Sequence, residues 1–258
     1  MTSTIGMTPG REFAGKVALV TGGARNIGRA ICRAFAAGGA SVMINANSSR
    51  TEAAHTQSMI AADGGTAAVH IADVTDPAAV AALVAATVER FGRIDIVVNN
   101  AAVRAETPFA QITLPEWQRV IATVLDGAFL VTQASLPHLI ASGNGAVINI
   151  GGLTGHKGAI GRAHVIAAKA GLAGFTKGLA LELAPQSITV NCVVPGTIDT
   201  VRGLPGAPAR PEHRNTLPPL GRRGVPEEIA AMVRMLAGPD ARFITGQTMH
   251  INGGGWLP

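Results

Sequence analysis

The strongest chemical signal in the sequence is a glycine run between a strand and a helix. Thr21-Gly22-Gly23-Ala24-Arg25-Asn26-Ile27-Gly28 follows the apolar stretch Val17 to Val20 and leads into a helical pattern that begins Arg29-Ala30. A glycine turn feeding a helix N-terminus offers unpaired backbone N–H groups and the positive end of the helix dipole, a setting suited to a pyrophosphate. Taken alone, the run is equally compatible with a tight turn that holds no ligand. A second signal lies in the composition: the chain has no tyrosine, which excludes any mechanism that takes a phenol from the protein.

The 258 residues suffice for one large α/β domain with a full core. Lys plus Arg number 21 against 16 Asp plus Glu, a net charge of +5 that is dispersed rather than gathered into runs with aromatics, so no nucleic-acid partner is expected. Only 14% of residues are charged, well below the usual quarter, which points to surface covered by self-association. Cys32 and Cys192 have no partner at metal-ligand or redox spacing, so no metal is expected and a reducing compartment is. Met1 to Lys16 has no apolar stretch followed by a cleavage site, and the cytoplasm is the expected location. The apolar segment Val120 to Ala141 is broken by Asp126, Gln133, Pro137 and His138 and reads as a buried helix rather than a membrane span.

Short β-branched runs alternate with longer alanine-rich segments from Lys16 onward. That rhythm predicts a single-domain α/β fold of Rossmann type, a doubly wound seven-stranded parallel sheet with helices on both faces. Strands are expected near 17–21, 41–45, 67–71, 94–98, 145–150, 188–193 and 247–251. Helices are expected near 27–38, 51–63, 77–91, 115–140, 163–184 and 226–237. Residues 1–14 read as a flexible tail and 15–258 as the domain. Pro205, Pro208, Pro211, Pro218 and Pro219 rule out regular structure around 200–225, which reads as a substrate lid.

The glycine spacing resembles the T-G-x-x-x-G-x-G fingerprint of the short-chain dehydrogenase/reductase family, with Asn26 in the middle glycine place. Asn tolerates a left-handed backbone, so the turn should survive. The resemblance runs from about residue 14 to Pro258 and is closest to the 3-oxoacyl-[acyl-carrier-protein] reductase branch. It implies a dinucleotide held by Gly22, Arg25, Asn26, Ile27 and Gly28. Asp73-Val74 would meet the adenine, and Asn99-Asn100-Ala101-Ala102 matches the family's N-N-A-G. Pro195, Gly196, Ile198 and Thr200 would hold the nicotinamide and phosphates. After the second strand an NAD-selective member places a carboxylate, whereas this chain has Ala46, with Asn47 and Ser48 as neutral donors. With Arg25 beside the ribose 2′ oxygen, NADP(H) is the expected cofactor.

The same resemblance shows the catalytic places to be altered. The family's tyrosine stands four residues before a lysine; here the lysine is Lys169 and the tyrosine place is Val165. The serine place is Gly152 and the asparagine place is Val124. Only Lys169 is retained, and its family role includes gripping the nicotinamide ribose. His164 is a substitute acid to test, although one helical step turns a side chain by about 100°. Thr154 would share a face with Gly152 if the strand continued, and could then orient a substrate. His156 and Arg104 are pocket-lining possibilities, while Arg202, Arg210, His213 and Arg214 of the lid could meet a carboxylate or phosphate.

These features imply an NADPH-dependent reductase acting on a small molecule, anionic ones among the candidates, through chemistry that needs no tyrosine: an activated C=C or C=N bond, or a carbonyl with His164 as acid. The alternative is a non-redox relative, whether a dinucleotide-binding subunit, a cyclase or an isomerase. The apolar helices near 115–140 and 163–184 match those that pair subunits in this family, so a homodimer or homotetramer is expected.

Overall fold

The computed structural model describes residues 10–200 and 217–258. Seven strands form one parallel sheet: β1 (Val17–Val20), β2 (Ser41–Ala46), β3 (Thr66–Ile71), β4 (Ile96–Asn99), β5 (Ala146–Ile150), β6 (Thr189–Pro195) and β7 (Thr248–Ile251). Their spatial order is β3-β2-β1-β4-β5-β6-β7, so the winding reverses between β1 and β4. In an open parallel sheet the ligand crevice lies at such a reversal, beyond the carboxyl ends of the strands.

Alternation along each strand divides the core in two. Ala18, Val20, Val42, Ile44 and Ile148 face α1 (Asn26–Ala37) and, later in the chain, α8 (Pro226–Ala237). Leu19, Met43, Val97 and Val147 face the opposite layer. That layer contains α3 (Pro77–Phe91), α5 (Gly127–Ala141) and α7 (Ala163–Leu183), while α2 (Arg50–Ala62) flanks β2 and β3. The helix boundaries have local causes. In α3, for example, the Asp76 carboxylate accepts from Ala78 N and Ala79 N, Pro77 opens the first turn, and Gly92 ends the helix with φ 81°.

Each expected strand and helix is present, with three corrections. The helix expected at 115–140 is instead α4 (Leu114–Ile121), a wide π turn (Ala122–Asp126) and α5. An unforeseen one-turn helix, α6 (Thr154–Lys157), follows β5. Finally, residues 10–14 belong to the domain rather than to a tail. Phe13 is 2% exposed and stacks edge-on against Phe35 at 5.3 Å, Gly10 N donates to Ala37 O, and Arg234 pairs with Glu12. A single large aromatic was enough to draw this segment onto α1 and α8, and periodicity does not register one residue.

The run from Leu114 to Ala141 is long and apolar enough by composition to cross a membrane, yet in the fold it packs on α3, α7 and β4. The lid residues Arg202, Arg210, His213 and Arg214 lie outside the described residues. The downstream end of that segment is anchored: Leu220 N donates to Gly253 O, Gly224 N to Thr197 O, and Ile198 bridges Gly224.

If residues 10–14 are part of the core, Phe13→Ala should cost about 3 kcal/mol, as for other fully buried aromatics. Equilibrium denaturation in guanidinium would read this as a lower midpoint with unchanged slope.

Candidate active site

The glycine turn after β1 is closed by contacts only glycine permits. A Cβ on Gly28 would lie 2.1 Å from Gly22 O, and Gly22 itself has φ +61°. Asn26 takes φ 51°, the left-handed conformation expected for a residue in a glycine's place. Arg25 stands at the N-cap of α1 without a capping side chain, and no acidic residue occupies the first turn, so the helix start favours an anion. Ile27 anchors this start against the core.

Asn100 serves the turn from the next strand. Its Nδ2 donates to Thr21 O and Gly22 O at 2.9 and 3.0 Å, while Asn100 N and Ala101 N both donate to Thr21 Oγ1. Asn100 therefore shapes the cradle through hydrogen bonds, and its amide is already committed.

At the β2–β3 end, Asn47 Nδ2 donates to Asp73 Oδ2 at 3.2 Å, while Thr75 N and Oγ1 donate to Asp73 Oδ1. These bonds, the Thr75 backbone N–H foremost, hold the Asp73 carboxyl below its ordinary range. Val74 is buried against Gly127 at the start of α5. Arg25, Asn47 and Ser48 are exposed around this end, with no acid at Ala46. On the opposite side, Gly196 N donates to Ile251 O, Ile198 is buried, and Thr200 Oγ1 is buried with no partner among the described residues. Gly196 leaves no room for a side chain, since its Cβ would be 2.5 Å from Asn252 Cα. The glycine cradle, the carboxylate at the far end and an orphaned hydroxyl past Pro195 fit an extended dinucleotide lying across the strand ends. Among the described residues no cluster of three metal-ligating side chains occurs.

At the positions of the altered tetrad, Lys169 is 8% exposed and its Nζ donates to Ile150 O at 2.6 Å. Burial pulls the ammonium down to about 8; Cys192 opposes that shift and Arg104 adds to it. Val165 lies one turn before Lys169 on the same helix face. Val124 sits in the π turn, buried with Val120, Ala128, Ala168 and Leu172, and Val165 packs on that cluster. At Gly152 a Cβ would touch only the Lys169 stem, at 3.6 and 3.9 Å. The place is therefore open beside the lysine and apolar across from it.

His164 lies on the helix stripe of Ala168 and Leu172, is fully buried, and points Nε2 at Glu116 Oε1, 3.4 Å away in α4. Glu116 also accepts from Thr107 Oγ1 at 2.8 Å, and Arg162 pairs with Glu106, so this corner fastens the loop after β4 to the start of α7. Thr154 does not continue the strand of Gly152 but opens α6, which removes the alternation argument for its orientation. Arg104 is exposed on the loop after β4.

Two features had no signal in the sequence. His156, His250 and Trp256 meet as a cluster of rings, with centroids 4.6, 4.7 and 5.4 Å apart, joining α6, β7 and the C-terminal segment. Desolvation lowers both imidazoles below their ordinary range, aided at His156 by Lys177 and at His250 by His156. His250 also borders a cavity of about 350 Å³ lined by Thr197, Ile198, Leu220, Arg222 and Glu228. The second feature is a buried polar chain. Asn99 donates to Thr132 and Asn149, and Asn149 donates to Thr176, all at 2.9 Å, tying β4 and β5 to α5 and α7.

The family model described as enoyl-(acyl carrier protein) reductase matches residues 22–255. The chain belongs to the short-chain dehydrogenase/reductase family. A 3-oxoacyl-[acyl-carrier-protein] reductase of Synechocystis sp. is 41% identical over 245 residues, 93% of this chain and 96% of that protein. The reductase FabG of Escherichia coli is 38% identical over 248 residues, covering 95% and 99%. Among solved structures, a dehydrogenase/reductase from Sinorhizobium meliloti superposes with TM-score 0.87 at 37% identity, covering 95% of this chain and 96% of that one. A short chain dehydrogenase from Burkholderia cenocepacia, solved in complex with NADP, gives TM-score 0.87 at 34% identity over 95% and 99%.

In a short-chain dehydrogenase/reductase built this way, Gly28→Ala forces the turn apart, because the clash is with backbone rather than with a flexible side-chain tip. The variant should lose at least ten-fold in dinucleotide affinity by calorimetric titration and melt at a lower temperature than the parent.

Proposed function

We propose that this protein is an NADPH-dependent reductase of an activated C=C bond, one conjugated to a carbonyl or carboxylate. One observation carries the reading: of the four positions that the resemblance gives to the family's proton chemistry, Lys169 alone is protic, while Val165 and Val124 belong to an apolar cluster. Reducing a simple ketone there would leave an alkoxide with no phenol to protonate it. Conjugate addition instead leaves a delocalised enolate, a weaker base that needs a cation nearby more than a strong acid.

The charge of the site favours C=C over C=N. Lys169 is a buried cation with the Arg104 guanidinium close enough to oppose its charge. A cationic iminium substrate would be repelled by both, whereas an enolate is attracted. At an effective dielectric of about 20, a unit charge about 5 Å from another contributes roughly 3 kcal/mol, enough for more than a hundred-fold preference. The anionic end of the substrate would lie toward Lys169 and Arg104. The description of the matching family model, an enoyl reductase, is consistent with this choice.

The cofactor supplies the hydride, and the chain's residues hold it. The Gly22–Gly28 turn and the start of α1 take the pyrophosphate, and Asp73 and Val74 flank the adenine. Arg25, Asn47 and Ser48 surround the 2′-phosphate, Ala101 lies beside the cradle, and Pro195, Gly196, Ile198 and Thr200 line the nicotinamide end. Lys169 holds the ribose hydroxyls with the N–H groups that Ile150 O leaves free. Thr154 and His156, on α6, border the substrate.

We also propose that the chain assembles as a homotetramer. Phe129 and Leu181 are large apolar residues exposed on α5 and α7, and Phe243 and Leu257 are exposed near β7 and the C-terminus. Sedimentation velocity should give a species of four chains; a monomer at micromolar concentration overturns this.

Arg25→Ala should weaken NADPH binding about 10- to 100-fold and leave NADH binding within about two-fold, since a charge-assisted phosphate contact contributes about 1.5–3 kcal/mol. Following the loss of NADPH absorbance with enones, enoyl thioesters, simple ketones and cyclic imines should show turnover for the first two classes. Stoichiometric NADPH binding with no turnover on any class would instead identify a dinucleotide-binding, non-redox relative.

A further inference from the structure

We propose that Lys169 is itself the proton donor of the reduction, taking the task a tyrosine would otherwise perform. The inference rests on the reductase reading above and adds the identity of the acid.

The geometry supports it in three ways. First, an ammonium has three N–H donors, and among the described residues only Ile150 O accepts from Lys169. Two donors therefore remain for the cofactor ribose and the substrate. Second, Gly152 sets no side chain against the Lys169 stem, whose Cγ and Cδ a Cβ there would meet at 3.6 and 3.9 Å, and Val165 contributes no hydroxyl one turn earlier. The proposal places the substrate oxygen or α-carbon on this side of the lysine.

Third, the other protic groups nearby are eliminated on chemical grounds. Arg104 stays protonated throughout the working pH range and so cannot deliver a proton. His164 is fully buried, 3.4 Å from Glu116, and desolvation, aided by Lys177, lowers the His156 imidazole below its ordinary range, which disfavours its protonated form at neutral pH. Cys192 packs behind Gly151, and burial pushes its thiol up to about 11, a weaker acid than the lysine. Burial of Lys169 has the opposite consequence, since desolvation makes its ammonium a stronger acid, brought down to about 8. Most of the lysine is still charged at neutral pH and yet gives up its proton readily.

The step balances. As hydride arrives at the β-carbon, the C=C electrons move to the α-carbon and carbonyl as an enolate. One N–H bond of the Lys169 ammonium then breaks, and its proton forms a C–H bond at the α-carbon, or an O–H bond in an enol that then tautomerises. The neutral amine takes a proton back from water, so the net consumption is one hydride and one solvent proton.

Two measurements test this. The chain has only four lysines, Lys16, Lys157, Lys169 and Lys177, so ε-15N-lysine NMR of the cofactor-free protein resolves each, with assignment by single Lys→Arg replacements. Lys169 should titrate near 8. Finding it at the ordinary lysine value of about 10.4 overturns the proposal. In parallel, turnover of 2-cyclohexenone and of a short enoyl thioester should fall as pH rises through about 8, because only the protonated amine can act. Lys169→Arg keeps the charge but cannot release a proton, so turnover at saturating NADPH should drop at least 100-fold, more than any loss of NADPH affinity measured in parallel. Methylammonium should partly restore Lys169→Ala, whereas tetramethylammonium, which has no proton to give, should not. Turnover by Lys169→Arg within a few-fold of the parent, with a flat pH profile, overturns the role of Lys169 and leaves the reductase reading standing. An enone panel that the parent binds NADPH for but never reduces defeats both.

Discussion

The site depends on one short hydrogen bond in a dry setting, from the Lys169 ammonium to the Ile150 carbonyl. It joins the end of β5 to the first third of α7 and fixes where a positive charge stands relative to the sheet. Two glycines make it feasible. Gly152 leaves the lysine stem uncovered, and Gly155 lets α6 approach so closely that a Cβ there would meet Lys169 Cβ at 3.0 Å. A charge held this way costs desolvation energy, which is offset only if the carbonyl and an arriving ligand share its donors. The buried lysine is thus a structural liability and, under the proposed reaction, the group that binds and reacts.

Around it the polar character of the interior has been redistributed. The strand ends keep a connected chain, Asn99 to Asn149 to Thr176 with Thr132 at its side, which locks β4 and β5 to the helices behind them. Val124 and Val165, by contrast, join the apolar cluster of α4, α5 and α7. The π turn persists at Val124 although no polar side chain there takes advantage of it. The scaffold that positions a reaction is retained while the usual acid is absent, so a cation near an apolar surface becomes the dominant chemical feature.

Much of this was legible in the sequence because it depends on local rules. Strand and helix order followed from hydrophobic period, and the left-handed backbone of Asn26 from its place in a glycine turn. The π turn was not legible, since an added residue in a helix barely changes its apolar pattern. The orientations of Thr154 and His164 were not legible for a related reason. Thr154 opens a helix where the chain changes direction, and His164 meets Glu116 of a neighbouring helix. Phe13 and the rings of His156, His250 and Trp256 had no periodic signature, because their partners are distant in the chain.

The sequence by itself determined the parallel sheet, the dinucleotide cradle and the absence of a phenol, because glycine sterics, hydrophobic period and composition act within a few residues or over the whole chain at once. The tertiary structure decided how the remaining polar groups are buried and what each of them meets. It closed His164 against Glu116, turned Thr154 into a separate helix, and left Lys169 buried yet unshielded beside Gly152. Burial and approach are set by packing between segments far apart in the chain, and they control the acidity and reach of a side chain.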